Sequence, residues 1–170
     1  MSQKPEKIII QLKYRDIEQQ FSAEPQDAWL LLAKFFNGII PSFEIAQKLQ
    51  LNVDLERLAK DVVGIVAFSS EGPNLLVPKN MLTDNEVLLV SLVSNYLGHK
   101  LGLVNCDSRS KEELQTKLDK SGKITSTRLG ELIKNELVIK DPDGRFRLTT
   151  FGVVQIQKEV IPRIKAKTSR

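Results

Sequence analysis

At 170 residues, 41% hydrophobic and net charge +4, the chain is long enough for one domain or two small ones and too apolar for disorder away from its ends. The longest apolar runs, such as Trp29 to Ala33 and Val87 to Val90, fall far short of the roughly 18 residues that span a bilayer, and the N-terminus carries no secretion signal. A soluble, cytoplasmic protein without a membrane partner is expected. One cysteine, Cys106, and one histidine, His99, exclude an internal disulfide and the usual thiolate, zinc and nucleophile-base constellations. No cofactor, metal site or catalysis is therefore expected, and the chain is not read as an enzyme. Residues 1–83 carry net −1 and residues 84–170 net +5, so the positive field belongs to the second half.

Residues 7–14 alternate, with Ile8, Ile10, Leu12 and Tyr14 on one face, and Arg15-Asp16 separates them from Ile17 to Phe21. A β-hairpin is predicted. Ser22 or Glu24 caps a helix from Pro25 to Asn37, with Trp29, Leu32, Ala33 and Phe36 inward and Gly38 as its stop. Ser42 then caps PSFEIAQKLQL, with Phe43, Ile45, Ala46 and Leu49 inward. Asn52 caps VDLERLAKDVV, and two strands, GIVAFSS and NLLVPK, meet at Ser70-Glu71-Gly72-Pro73.

Thr83 or Asp84 caps a helix over 84–100 whose apolar residues wrap more than half its circumference, as in a helix buried between neighbours. Ser108 or Ser110 caps the next, with Leu114 and Leu118 inward and Glu112 and Glu113 favoured by the dipole of its first turn. After a Ser121-Gly122 turn, Thr125 or Ser126 caps STRLGELIKNEL, with Leu129, Leu132 and Ile133 inward. Gly130 in mid-helix costs about 1 kcal/mol relative to Ala and permits close approach to another backbone. LVIK and RFRLT flank Asp141-Pro142-Asp143-Gly144, the residue preferences of a type I turn. A last helix starts near Thr149-Thr150 and presents Phe151, Val154, Ile161 and Ile164, Pro162 kinks or ends it, and the tail PRIKAKTSR, whose charges are all positive and which ends in the basic segment 167–170, frays.

The phrases STRLGELIKNELV and DPDGRFRLTTFG make residues 84–166 resemble the winged-helix DNA-binding superfamily, MarR-like and related archaeal and bacterial regulators. The resemblance implies an α+β fold, a C-terminal winged helix of three helices and a β-hairpin wing. Its third helix would enter the major groove of double-stranded DNA, and its terminal helices, with 84–100, would pair two copies as a homodimer. Carried over by position, Ser126, Thr127, Arg128, Glu131 and Lys134 would face the groove, and Arg145 and Arg147 would sit on the wing strand. The acidic turn Asp141-Pro142-Asp143 departs from a wing tip suited to phosphate, which moves the expected contacts to the arginines. The N-terminal half resembles nothing named. Residues 1–80 are expected as a separate hairpin-and-helix domain, residues 81–166 as the winged helix. The order helix, helix, helix, hairpin over 25–79 leaves a second, degenerate winged helix as one of two readings. Function is expected to be transcription regulation through DNA. The alternative is a winged-helix adaptor in a transcription, replication or chromosome-organising complex, with a protein partner on residues 1–80. The competing interpretation of the helix at 125–136 is an ordinary solvated face.

Overall fold

The computed structural model describes residues 7–39 and 51–168. The helix expected from PSFEIAQKLQL, with Phe43, Ile45, Ala46 and Leu49, lies outside the described residues. The protein is α+β, and its described residues form three two-stranded antiparallel sheets. Its contacts divide it after Gln50.

The first unit is a hairpin and a helix. β1 (Ile8–Tyr14) pairs with β2 (Ile17–Ala23), and Tyr14 opposite Ile17 leaves the expected Arg15-Asp16 as a two-residue turn, with Arg15 at φ 54°. α1 (Pro25–Ile39) begins with Pro at its first position, where a missing N–H costs nothing, and runs on through Gly38 rather than stopping there. Ala28 and Phe35 are its buried residues, and Phe35 meets Phe21 edge to face at 6.3 Å between ring centroids. The expected inward residue Trp29 is instead 64% exposed, beside Leu30 at 65%. Both stripes of α1 are apolar at helical spacing, and the hairpin covers the one through Ala28 and Phe35.

The second unit starts at Leu51. Asp54, not Asn52, caps α2 (Leu55–Asp61), its carboxylate accepting the Arg57 N–H at 2.9 Å. β3 (Val66–Ser69) and β4 (Gly72–Leu75) follow, paired Ser69 to Gly72, so the turn shortens to Ser70-Glu71 and Gly72 takes φ +115° within the strand. The hydroxyls of Ser69 and Ser70 donate to the Glu71 carboxylate at 2.6 and 2.7 Å and hold its pKa at about 2.

α3 (Asp84–Lys100) is the axis of this unit. A capping box opens it: Thr83 Oγ1 accepts the Glu86 N–H, and the Glu86 carboxylate accepts the Thr83 N–H at 2.8 Å. Leu88, Leu92, Val93 and Leu97 are buried around its circumference, as the wide stripe predicts. They share one core with Leu58, Ile65 and Val66 before them and with Leu114, Leu129, Val138, Leu148, Ile156 and Ile164 after them. The stripe expected to pair two copies is thus covered within the chain. Because α2 and β3 join this core, residues 51–80 pack with the C-terminal helices.

α4 (Lys111–Leu118) has Ser110 as its cap, in a second capping box with Glu113, and α5 (Gly122–Lys134) starts a turn earlier than expected. Ser121 caps α5, while Thr125, one of the expected caps, is buried one turn in and donates its hydroxyl to the Ser121 carbonyl at 3.1 Å. Asn135 and Glu136 close α5, with Glu136 at φ 59° and the Leu137 N–H returning to Leu132 O at 3.1 Å. β5 (Val138–Lys140) and β6 (Phe146–Leu148) then form the third hairpin. Its turn is as read: the Gly144 N–H donates to Asp141 O at 2.9 Å and Gly144 takes φ +85°. Arg109, extended between α3 and α4, exchanges both backbone hydrogen bonds with Phe146 at 2.9 and 2.8 Å and adds a one-residue strand to this hairpin's edge.

Thr149 caps α6 (Thr150–Gln155), and a π-helical turn, Ile156–Val160, leads into α7 (Ile161–Thr168). Pro162 neither ends the helix nor breaks it. Its ring would collide with the Lys158 carbonyl in a regular helix, and the turn before it widens, the Ile161 N–H bonding back to Ile156 O. The extra residue rotates the buried face to Val153, Ile156, Val160, Ile161 and Ile164 and leaves Phe151, expected inward, 40% exposed. Lys167, expected in a frayed tail, lies in α7 and donates to the buried Glu86 carboxylate at 2.8 and 3.0 Å. No helix among the described residues is long and apolar enough to cross a membrane.

Candidate nucleic-acid interface

α5 carries the expected reading face. Its buried edge is Thr125, Leu129 and Leu132, which fixes the opposite edge in solvent. Lys123, Ser126, Thr127, Gly130 and Lys134 are exposed there. Ile133, expected inward, is 37% exposed at the margin.

Three of the four arginine and lysine side chains expected to reach a ligand have partners within the second unit. Arg128 Nε donates to Asp84 Oδ2 at 3.3 Å, and its Nη1 donates to the Glu131 oxygens at 2.9 and 3.1 Å. Asn85 Nδ2 donates to the same Glu131 carboxylate at 3.2 Å, so four side chains tie the start of α3 to the middle of α5. The hydrogen bonds from Asn85 and Arg128 lower the Glu131 pKa, and those to Glu131 and Asp84 raise that of Arg128. Both charges are therefore kept at any ordinary pH.

Arg145 is also held. Its Nε donates to Ser108 Oγ at 3.1 Å, and its Nη2 donates to Ser108 O at 2.9 Å and Glu113 Oε2 at 3.0 Å, which ties the hairpin to the capping box of α4. Ser108, one of the two expected caps, is thus a buried junction: Asn95 of α3 donates to its carbonyl at 3.3 Å and to that of Cys106 at 2.7 Å. The Cys106 thiol lies 3.0 Å from Ser108 Oγ, and the hydroxyl and the N–H of Ser108 hold its pKa below the ordinary thiol value. Arg147 Nε donates to Asp141 Oδ1 at 2.9 Å, so the acidic turn neutralises the strand arginine beside it.

Lys134 is the exception. Among the described residues it makes no ion pair, and neither do Lys120 or Lys123, one turn before and at the start of α5. Lys120 and Lys123 were not among the expected contacts. The readable signal was spacing, since Lys123 stands four residues before Thr127 and eleven before Lys134, both multiples close to the helical period. Among the described residues no group of three or more His, Cys, Asp or Glu is placed to hold a metal ion.

No protein-family profile, no curated protein and no solved structure matches this chain.

Proposed function

We propose that residues 84–166 are a winged helix that binds double-stranded DNA, in transcription regulation in the cytoplasm, with α5 as the reading helix and β5–β6 as the wing. The observation that carries this reading is the order α3, short edge strand at Arg109, α4, α5, hairpin, with Arg109 bonded to Phe146 so that the edge strand and the hairpin are one small sheet. The exposed Lys123, Lys134 and Ser126 on α5 supply two cations and a hydroxyl donor suited to a duplex, beside the exposed Thr127, whose hydroxyl donates to the Lys123 carbonyl.

A second reading has its own support. Trp29 and Leu30 project from α1 into solvent, and Arg128, Arg145 and Arg147 are neutralised by internal carboxylates, as suits an adaptor whose winged helix makes protein contacts. Pairing of two copies, if it accompanies either reading, uses surfaces other than the covered stripe of α3. Amide chemical shifts of the labelled protein titrated with a short duplex separate the two. DNA binding moves the signals of residues 121–134 and 138–148 together. Signals that stay in place at low salt overturn it and leave the adaptor.

A further inference from the structure

Resting on that reading, we infer that α5 reads duplex DNA through its phosphates and not its base edges, with Lys123 and Lys134 on the two strands and Gly130 at the point of closest approach. Base discrimination in the major groove comes chiefly from bidentate side chains, above all a free guanidinium on guanine. Arg128, the one arginine of α5, has its guanidinium on Asp84 and Glu131, and Arg145 and Arg147 are on Glu113 and Asp141. Lys123 and Lys134 remain, with the hydroxyl of Ser126 between them, while that of Thr127 donates to the Lys123 carbonyl at 3.0 Å. A lysine ammonium is a point charge that suits phosphate and selects weakly among bases.

The placement fits a groove. Lys123 and Lys134 are eleven residues apart on one line of α5. That is about 16 Å at the helical rise, against a major groove about 12 Å wide, so with α5 crossing the groove obliquely each ammonium group meets the phosphates of one strand. Gly130 lies on the same line, exposed, and a Cβ built on it meets nothing within 4 Å. Helix interiors disfavour glycine, and no packing contact among the described residues calls for one here. A bare backbone at the centre of the face lets the helix sit deeper against the duplex than any side chain there would allow.

The test is duplex binding by fluorescence anisotropy over a salt series, with several unrelated sequences, for the full chain and three single variants. The expected result is binding to all sequences within about threefold, since the Arg128 guanidinium is engaged and Asn135, the amide at the end of α5, lies off the line of Lys123 and Lys134. Lys123→Ala and Lys134→Ala each reduce the slope of log K against log salt by about 0.9 and weaken binding roughly five- to tenfold near 0.1 M salt. Gly130→Ala raises the melting temperature by a few degrees and still weakens binding. Lys158→Ala, exposed on the π-helical turn, leaves the slope unchanged. A preference of tenfold or more for one sequence, unaltered slopes in the lysine variants, or full binding by Gly130→Ala overturns the inference and leaves the DNA reading standing. Absence of binding by the unaltered chain at 50 mM salt, on the order of the low-salt limit where phosphate contacts are strongest, overturns both.

Discussion

Gly152→Ala should lower the stability of the second unit by about 3 kcal/mol or more, the largest loss expected at any of the described glycines. A Cβ built on Gly152 comes 2.1 Å from the carbonyl oxygen of Leu137 and 2.8 Å from its carbon. Those atoms are backbone, so no side chain can swing away. They are also fixed from the other side: the Thr149 N–H donates to Leu137 O at 3.1 Å, and Thr149 Oγ1 donates to Glu136 O at 2.7 Å while accepting the Gly152 N–H at 2.7 Å. Making room requires α6 to lift off the exit of α5, which would uncover Val153 and Ile156, both fully buried. In thermal unfolding the variant should melt roughly 10 °C lower. A loss under about 1 kcal/mol would show that α6 does not rest on the Leu137 backbone as described. Gly98→Ala makes a useful comparison, because its nearest neighbour at 2.7 Å is the ring of Phe68, a half-buried side chain that can turn.

Glu86→Ala should cost about 2 to 3 kcal/mol, from a lost capping box and a broken buried ion pair. The side chain is 2% exposed by residue and accepts from the Thr83 N–H and from Lys167, with Arg163 at 3.9 Å. It is the group that fastens α7 to the start of α3. Burial pushes the Glu86 carboxyl up, but the hydrogen bonds from Lys167 and Thr83 outweigh it and hold the pKa below the ordinary glutamate value. A carboxyl with a lowered folded pKa binds fewer protons folded than unfolded, so its stabilisation is complete above the unfolded pKa and is lost as pH falls through the folded one. The gap in unfolding free energy between the unaltered chain and Glu86→Ala should therefore be widest near neutral pH and narrow on acidification below the ordinary glutamate range. An equal gap at pH 7 and at about pH 3 would contradict this role for the charge.

Local chemistry in the sequence predicted those elements whose cause is local. The Arg15-Asp16 turn, the cap of α3 and the Asp141-Pro142-Asp143-Gly144 turn depend on residues within four positions of one another; both turns stand as read, and of the two expected caps, Thr83 and Asp84, Thr83 holds. Choices between equivalent local signals were not legible. Asn52 and Asp54 both cap well in principle, as do Ser121 and Thr125, and burial of Thr125 against the core decides the second pair. In α1 two apolar stripes compete, and contact with β2 through Phe21 selects the one that excludes Trp29. The π-helical turn before Pro162 keeps its ring clear of the Lys158 carbonyl while Ile161 and Ile164 stay in the core.

The candidate interface divides in the same way. Exposure of Ser126, Thr127 and Lys134 follows from the helical period of Leu129 and Leu132. The engagement of Arg128 by Asp84 and of Arg145 by Ser108 spans 44 and 37 residues, and no local pattern signals it. Those two contacts move the free positive charge of the face from arginine to lysine, which changes the chemistry it offers.

The proposed duplex contact is tested most directly by the light-scattering mass of the full chain with and without random duplex DNA across a salt series. The account predicts a complex at low salt that dissociates as salt rises, with a slope of at least about 1.8 in log K for the two lysine contacts. A mass that stays that of the free protein at low salt, with duplex in excess, would contradict it.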